Sequence, residues 1–186
     1  MYEKSPHSEN DHWVHDRDQL LIQMMWTTGA RITDVLDMRT DKINFNNRSI
    51  TFLVRKRKNT KRADGQWWHT ITIDMETLNE IMNYIHTWNV RGLLFPSYRN
   101  SDKQLTRQAV ALKLKSLAET IGMTRNIHCH LWRHGVAMFL QAQGIPIELV
   151  SYHLAHSSTT ITLSTYATLD ALQERKIFDS LGVRLR

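Results

Sequence analysis

Apolar residues recur at helical spacing from Asp11 onward: Trp13, Val14, Leu20, Leu21, Met24 and Met25 share one face. Gly29 is placed to end that helix in a left-handed turn. Ile32, Val35 and Leu36 predict a second, short helix reaching about Met38, which sets Arg31 at the junction between the two. The period then drops to two. Residues 49 to 56 alternate, Trp68 to Ile73 answer with β-branched side chains, and Asp64-Gly65 lies between them, so the segment reads as a β-hairpin. Asp74 is a suitable N-cap for a helix running through Trp88, with Leu78, Ile81, Met82 and Ile85 as its buried stripe. Residues 92 to 100, which include Pro96, read as a turn region. Three more helices follow: 106 to 121, stopped by Gly122; 130 to 143, stopped by Gly144; and one from Pro146 to about Ala155. A last periodic stretch runs from Leu169 to Leu181. The pattern predicts a mainly α protein with a small antiparallel β-sheet (α+β), preceded by a loose tail or linker remnant at residues 1 to 10.

Composition changes this picture little. With 186 residues and 41% apolar content, the chain can bury the core of one domain. No apolar run approaches the ~20 residues of a membrane span, and no secretory signal is visible in the polar N-terminus. A single cysteine, Cys129, excludes an internal disulfide framework and fits a reducing compartment, so a cytoplasmic setting is expected. His128-Cys129-His130 invites a metal, but zinc sites want three or four ligands at suitable spacing, so none is expected here.

Charge is more telling. The net charge is +6, and the run from Arg55 through Lys56, Arg57, Lys58, Lys61 and Arg62 is interrupted only by Asn59 and Thr60. Such a block repels itself and gains most when laid on phosphates, where counterion release supplies binding free energy. A phosphate-bearing polyanion is the partner that this run suggests, with Arg55, Arg57, Lys58, Lys61 and Arg62 as contacts. A solvated loop is the plainer reading of the same residues.

The candidate chemistry lies in four separated boxes: Thr28-Gly29-Ala30-Arg31, His130-Leu131-Trp132-Arg133-His134, Leu154-Ala155-His156, and Tyr166 beyond it, with the lysine-rich run between the first two. Two permanently charged, planar arginines can each donate paired hydrogen bonds to phosphate oxygens. A phenol near an imidazole and two cations can be deprotonated to attack phosphorus. In order and spacing the boxes resemble those of the tyrosine recombinases, the phage-integrase family of DNA strand-transfer enzymes, over about Asp11 to Leu181.

That resemblance implies a catalytic domain over residues 11 to 186, without the N-terminal core-binding domain that closes a clamp around DNA. It implies that Tyr166 attacks the scissile phosphate, forms a 3′-phosphotyrosyl link and releases a 5′-hydroxyl, with Arg31 and Arg133 on the phosphate. His130 would be the general acid/base partner and His156 a hydrogen-bond donor to the phosphate. Lys56 would protonate the leaving oxygen, with Lys58 and then Lys61 as the other candidates. No metal or cofactor is implied. Site-specific recombination or integration by a homotetramer on two duplexes of double-stranded DNA is the expected function, with residues 169 to 186 as a possible docking element between protomers. A catalytically impaired DNA-binding module and a topoisomerase-like relaxer are the alternatives. The chain departs from the family in two local respects: Ala155 replaces the usual glycine, and Tyr166 falls one residue later after His156 than is usual. Asp34 has two readings, as a group orienting Arg31 or as a solvated helix residue.

Overall fold

The computed structural model describes residues 6–58, 64–123 and 128–156. Among these residues six α-helices and five strands follow in the order α1 Pro6–Thr28, α2 Ile32–Leu36, β1 Ile43–Asn44, β2 Ser49–Lys58, β3 Gln66–Thr72, α3 Met75–Trp88, β4 Pro96–Ser97, β5 Asn100–Gln104, α4 Arg107–Thr120, α5 Cys129–Ala142 and α6 Ile147–His153, with a short 3-10 turn at Thr40–Lys42. The architecture is the mostly helical one expected. Strands β1, β2 and β3 make one antiparallel sheet in that order, and β4 pairs with β5 in a second.

The long α1 is the central support, packing against α2, α3 and α5. Its face Leu20, Leu21, Met24 and Met25 is fully buried, as the apolar spacing demands. The sheet closes the core through Ile50, Phe52 and Val54, alternate residues of β2 that all point inward. Asp74 caps α3 as predicted, accepting from the Thr77 N–H at 2.8 Å. Asn89 then ends that helix in the left-handed conformation, φ +48°. Thr106 caps α4 in the same way, accepting from the Ala109 N–H.

Three sequence expectations are corrected. Helix α1 begins at Pro6, ahead of the Asp11 start that the apolar spacing predicts. Met82 faces outward and Tyr84 takes its place in the core, because the α1-facing side of α3 passes through positions 77, 78, 81 and 84. The turn region after Gly92 contains the small β4–β5 sheet, whose polar strand residues carry no alternating pattern.

Candidate active site

The residues Thr28-Gly29-Ala30 build the elbow from which Arg31 leaves. Helix α1 stops because Gly29 turns into the left-handed region at φ +53°. Thr28, fully buried, donates its hydroxyl to the Met24 carbonyl at 2.7 Å and accepts from the Ala30 N–H at 3.1 Å. Glycine is required here for space as well as conformation. A Cβ on Gly29 would lie 2.4 Å from Leu154 Cδ2 and 3.0 Å from Val136 Cγ1.

Arg31 then takes the extended N-cap conformation of α2, and its carbonyl accepts from the Asp34 and Val35 N–H groups. Its guanidinium stands 3.9 Å from the carboxylate of Asp34. Of the two readings of Asp34, the solvated one is excluded: the residue is 1% exposed. Burial holds its carboxyl above the usual carboxylate range, against the Arg55 N–H bond and the charge of Arg31. Arg31 Nη1 is buried and has no hydrogen-bond partner among the described residues. A buried donor left in that condition calls for an acceptor, and a phosphate oxygen is one.

Arg133 is fixed differently. It lies on the inner face of α5, nearly fully buried. Its Nη1 donates to the Gly29 carbonyl at 2.7 Å and its Nη2 to the Leu154 carbonyl at 2.5 Å. One guanidinium thus ties the elbow before Arg31 to the turn before His156. His153 adds a parallel tie, its Nε2 lying 2.9 Å from the Thr27 carbonyl. In that turn Ala155 adopts φ +52°, the left-handed conformation that glycine takes at low cost. The chain therefore reaches His156 along a backbone path suited to glycine, despite the alanine.

Arg31, Lys56, His130 and Arg133 line one cleft of about 510 Å³. His130 is depressed below the ordinary histidine range, first by burial and then by Arg133, His128, Arg31 and Lys56. His156 is pushed down to about 4, first by burial and then by Arg133, Arg31 and His130. Both imidazoles are therefore neutral at pH 7 in the free protein, each with one donor and one acceptor nitrogen. An anion placed among these cations would oppose the depression and favour protonation.

The remaining sequence candidates divide as follows. Arg55 turns its guanidinium onto the carboxylate of Asp37. Arg57 and Lys58 belong to the backbone of β2, but their side chains, together with Lys61, Arg62, Tyr166 and the 169–181 segment, lie outside the described residues. Tyr152, the tyrosine nearest before Tyr166 in the sequence, donates its hydroxyl to the Thr70 carbonyl, away from the cleft. Among the described residues no three His, Cys, Asp or Glu side chains converge as a metal site.

Sequence reasoning did not single out Arg107, at the start of α4, which also lines the cleft. A lone arginine after a threonine cap carries no signal of its own. His128 was considered only for a metal, yet it caps α5, its Nδ1 accepting from the Leu131 N–H. A polar residue just before a helical run was the available clue.

The family model described as "Phage integrase family" matches residues 8–173. A probable integrase/recombinase protein of Methanocaldococcus jannaschii is 30% identical over 155 residues, covering 79% of this chain and 44% of that protein. Tyrosine recombinase XerA of Pyrococcus furiosus is 29% identical over 161 residues, covering 85% and 53%. The chain spans about half the length of these relatives. Among solved structures, XerA recombinase superposes with a TM-score of 0.73 at 15% identity, over 100% of this chain and 65% of that one. XerH site-specific recombinase bound to its difH substrate gives 0.65 at 21% identity, over 94% and 47%. These two likenesses show the fold.

Proposed function

The chain belongs to the phage integrase family, and on that premise we propose that it is the strand-transferring part of a site-specific DNA recombinase that cuts and rejoins DNA through Tyr166. The observation that supports this most is the shared cleft of Arg31, Lys56, His130 and Arg133, brought together from α2, β2 and α5. In the proposed reaction the Tyr166 oxygen attacks phosphorus as its phenolic proton passes to His130. Negative charge grows on the non-bridging oxygens, where Arg31, Arg133 and the donor nitrogen of His156 stabilise it. The bond from phosphorus to the 5′-oxygen breaks, and Lys56 gives that oxygen a proton. The phosphotyrosyl link keeps the energy of the original ester, so a new 5′-hydroxyl can reverse each transfer and join a different strand.

Arg31 Nη1 and the neutral histidines support a site built to receive an anion. The basic hairpin supplies further phosphate contacts at Arg57, Lys58, Lys61 and Arg62. Four protomers on two duplexes, with the Leu169–Leu181 segment docking between them, complete the proposal, in the cytoplasm and on the nucleoid. No helix among the described residues is long and apolar enough to cross a membrane.

A duplex nicked beside the scissile phosphate tests this, because loss of the short 5′ fragment traps the covalent product. The wild-type chain is expected to become attached and Tyr166→Phe is not. Intact binding of the wild type with no adduct would instead indicate a DNA-binding module.

A further inference from the structure

We propose that Arg55 is a positioning residue rather than a DNA contact: held on Asp37, it fixes the bulged piece of β2 that presents Lys56 to the cleft. The inference rests on the reading of Lys56 as proton donor to the leaving oxygen.

The β2–β3 hairpin does not hold Lys56 by itself. Pairing runs regularly from Ser49↔Thr72 to Leu53↔Trp68 and then jumps to Lys58↔Gln66, so residues 54 to 57 of β2 face only Trp67 across the hairpin. A bulge of that kind leaves the strand locally without its ladder. Lys56 sits inside it. Restraint comes instead from α2, on the other side. The Arg55 N–H donates to Asp34 Oδ1 at 3.3 Å, and the Arg55 guanidinium pairs with Asp37 Oδ2. Asp37 closes α2 as its C-cap, and its other oxygen accepts from the Gln104 side-chain amide, turned so that its NH2 faces Asp37 and the Leu36 carbonyl. Asp37 is largely buried while the Arg55 side chain is half exposed, so the acid is the fixed partner and the arginine the strap. Because Asp34 also stands beside Arg31, the strand of the proton donor and the helix of the phosphate-binding arginine share one anchor. A general acid must meet its oxygen within hydrogen-bond reach, and a misplacement of about 1 Å can cost on the order of 10²-fold in rate.

Two DNA substrates separate this role from others: the ordinary nicked duplex, and the same duplex with sulfur replacing the bridging 5′-oxygen. A thiol has a pKa near 8.5, so the thiolate leaves without a proton donor. Single-turnover attachment by Lys56→Ala is expected to be slow on oxygen and near wild type on sulfur. Failure of that rescue would refute the reading of Lys56, and this proposal with it. Given that rescue, Arg55→Ala and Asp37→Asn are expected to be about tenfold or more slower on oxygen and within about twofold of wild type on sulfur, with Arg55→Lys in between. Equal slowing on both substrates would overturn the proposal, since the damage would then lie outside proton donation. The salt dependence of DNA binding is the second measurement. For Arg55→Ala it should match wild type, whereas a slope flatter by ~0.9 would make Arg55 a phosphate contact and overturn the proposal.

Discussion

Arg31 and Arg133 have the same proposed task on the phosphate, yet their removal should differ sharply in effect on folding. Arg133 donates to two backbone carbonyls from a buried position, those of Gly29 and Leu154. A hydrogen bond to a charged group contributes roughly 1.5–3 kcal/mol, so truncation to alanine removes about 3–6 kcal/mol. The cleft admits water to part of the vacated space, which favours the lower end, about 3 kcal/mol. For a domain of this size, that lowers Tm by about 6–12 °C. Arg31 Nη1 has no hydrogen bond to lose, and its nearest acid stands 3.9 Å away. Arg31→Ala deprives Asp34 of a neighbouring cation, but the Arg55 N–H still donates to its Oδ1. Its stability should stay within about 1 kcal/mol of wild type. Urea denaturation followed by circular dichroism measures both, and covalent attachment to a nicked duplex should fail in both. Equal stability losses in the two variants would refute the assignment of Arg133 as the tie between the elbow and the His156 turn.

Further outcomes follow from the same geometry. Gly29→Ala should lose at least 2 kcal/mol, since the methyl group meets Leu154 and Val136 in a left-handed backbone; a midpoint unchanged in urea would contradict that. Acidification should weaken the free protein, because His130, His153 and His156 all have folded-state pKa values below the ordinary 6.5. Their stabilising effect is full above pH 6.5 and is lost as pH falls from there through about 4, the His156 value. Denaturation midpoints between pH 7 and pH 4 check this, and His156→Gln should flatten the profile. Adding duplex DNA should move the His156 NMR titration upward, and a midpoint unmoved by DNA would argue against a phosphate beside it. Replacing Lys58 and Lys61 together by alanine should reduce the log-affinity versus log-salt slope by ~1.8, at ~0.9 per phosphate. An unchanged slope would return that part of the basic run to a solvated loop.

The features legible in the sequence were those whose physics is local. Gly29 announces the elbow because a left-handed turn is a short-range requirement. The apolar face of α1 and the inward alternation of Ile50, Phe52 and Val54 show their periods directly. The Arg133 box was readable as chemistry, but its service to Gly29 and Leu154 depends on carbonyls distant in sequence. Met82 and Tyr84 were exchanged because both are apolar enough to pass as core, and only the α3 contact with α1 decides between them. The basic run read as one electrostatic unit, although Asp37 lies well before it in sequence and takes Arg55 out of that unit. Strand β5 is exposed and polar, so its pairing with β4 leaves no mark in the hydrophobic pattern.

The most direct test of strand transfer through Tyr166 is to map the covalent bond. After attachment to a nicked duplex and nuclease trimming, trypsin releases the peptide from His134 to Arg175, which contains both Tyr152 and Tyr166. Fragmentation in the mass spectrometer should place the nucleotide phosphate on Tyr166, with Tyr152 unmodified. A phosphate on Tyr152, or an adduct that persists in Tyr166→Phe, would contradict the proposed mechanism.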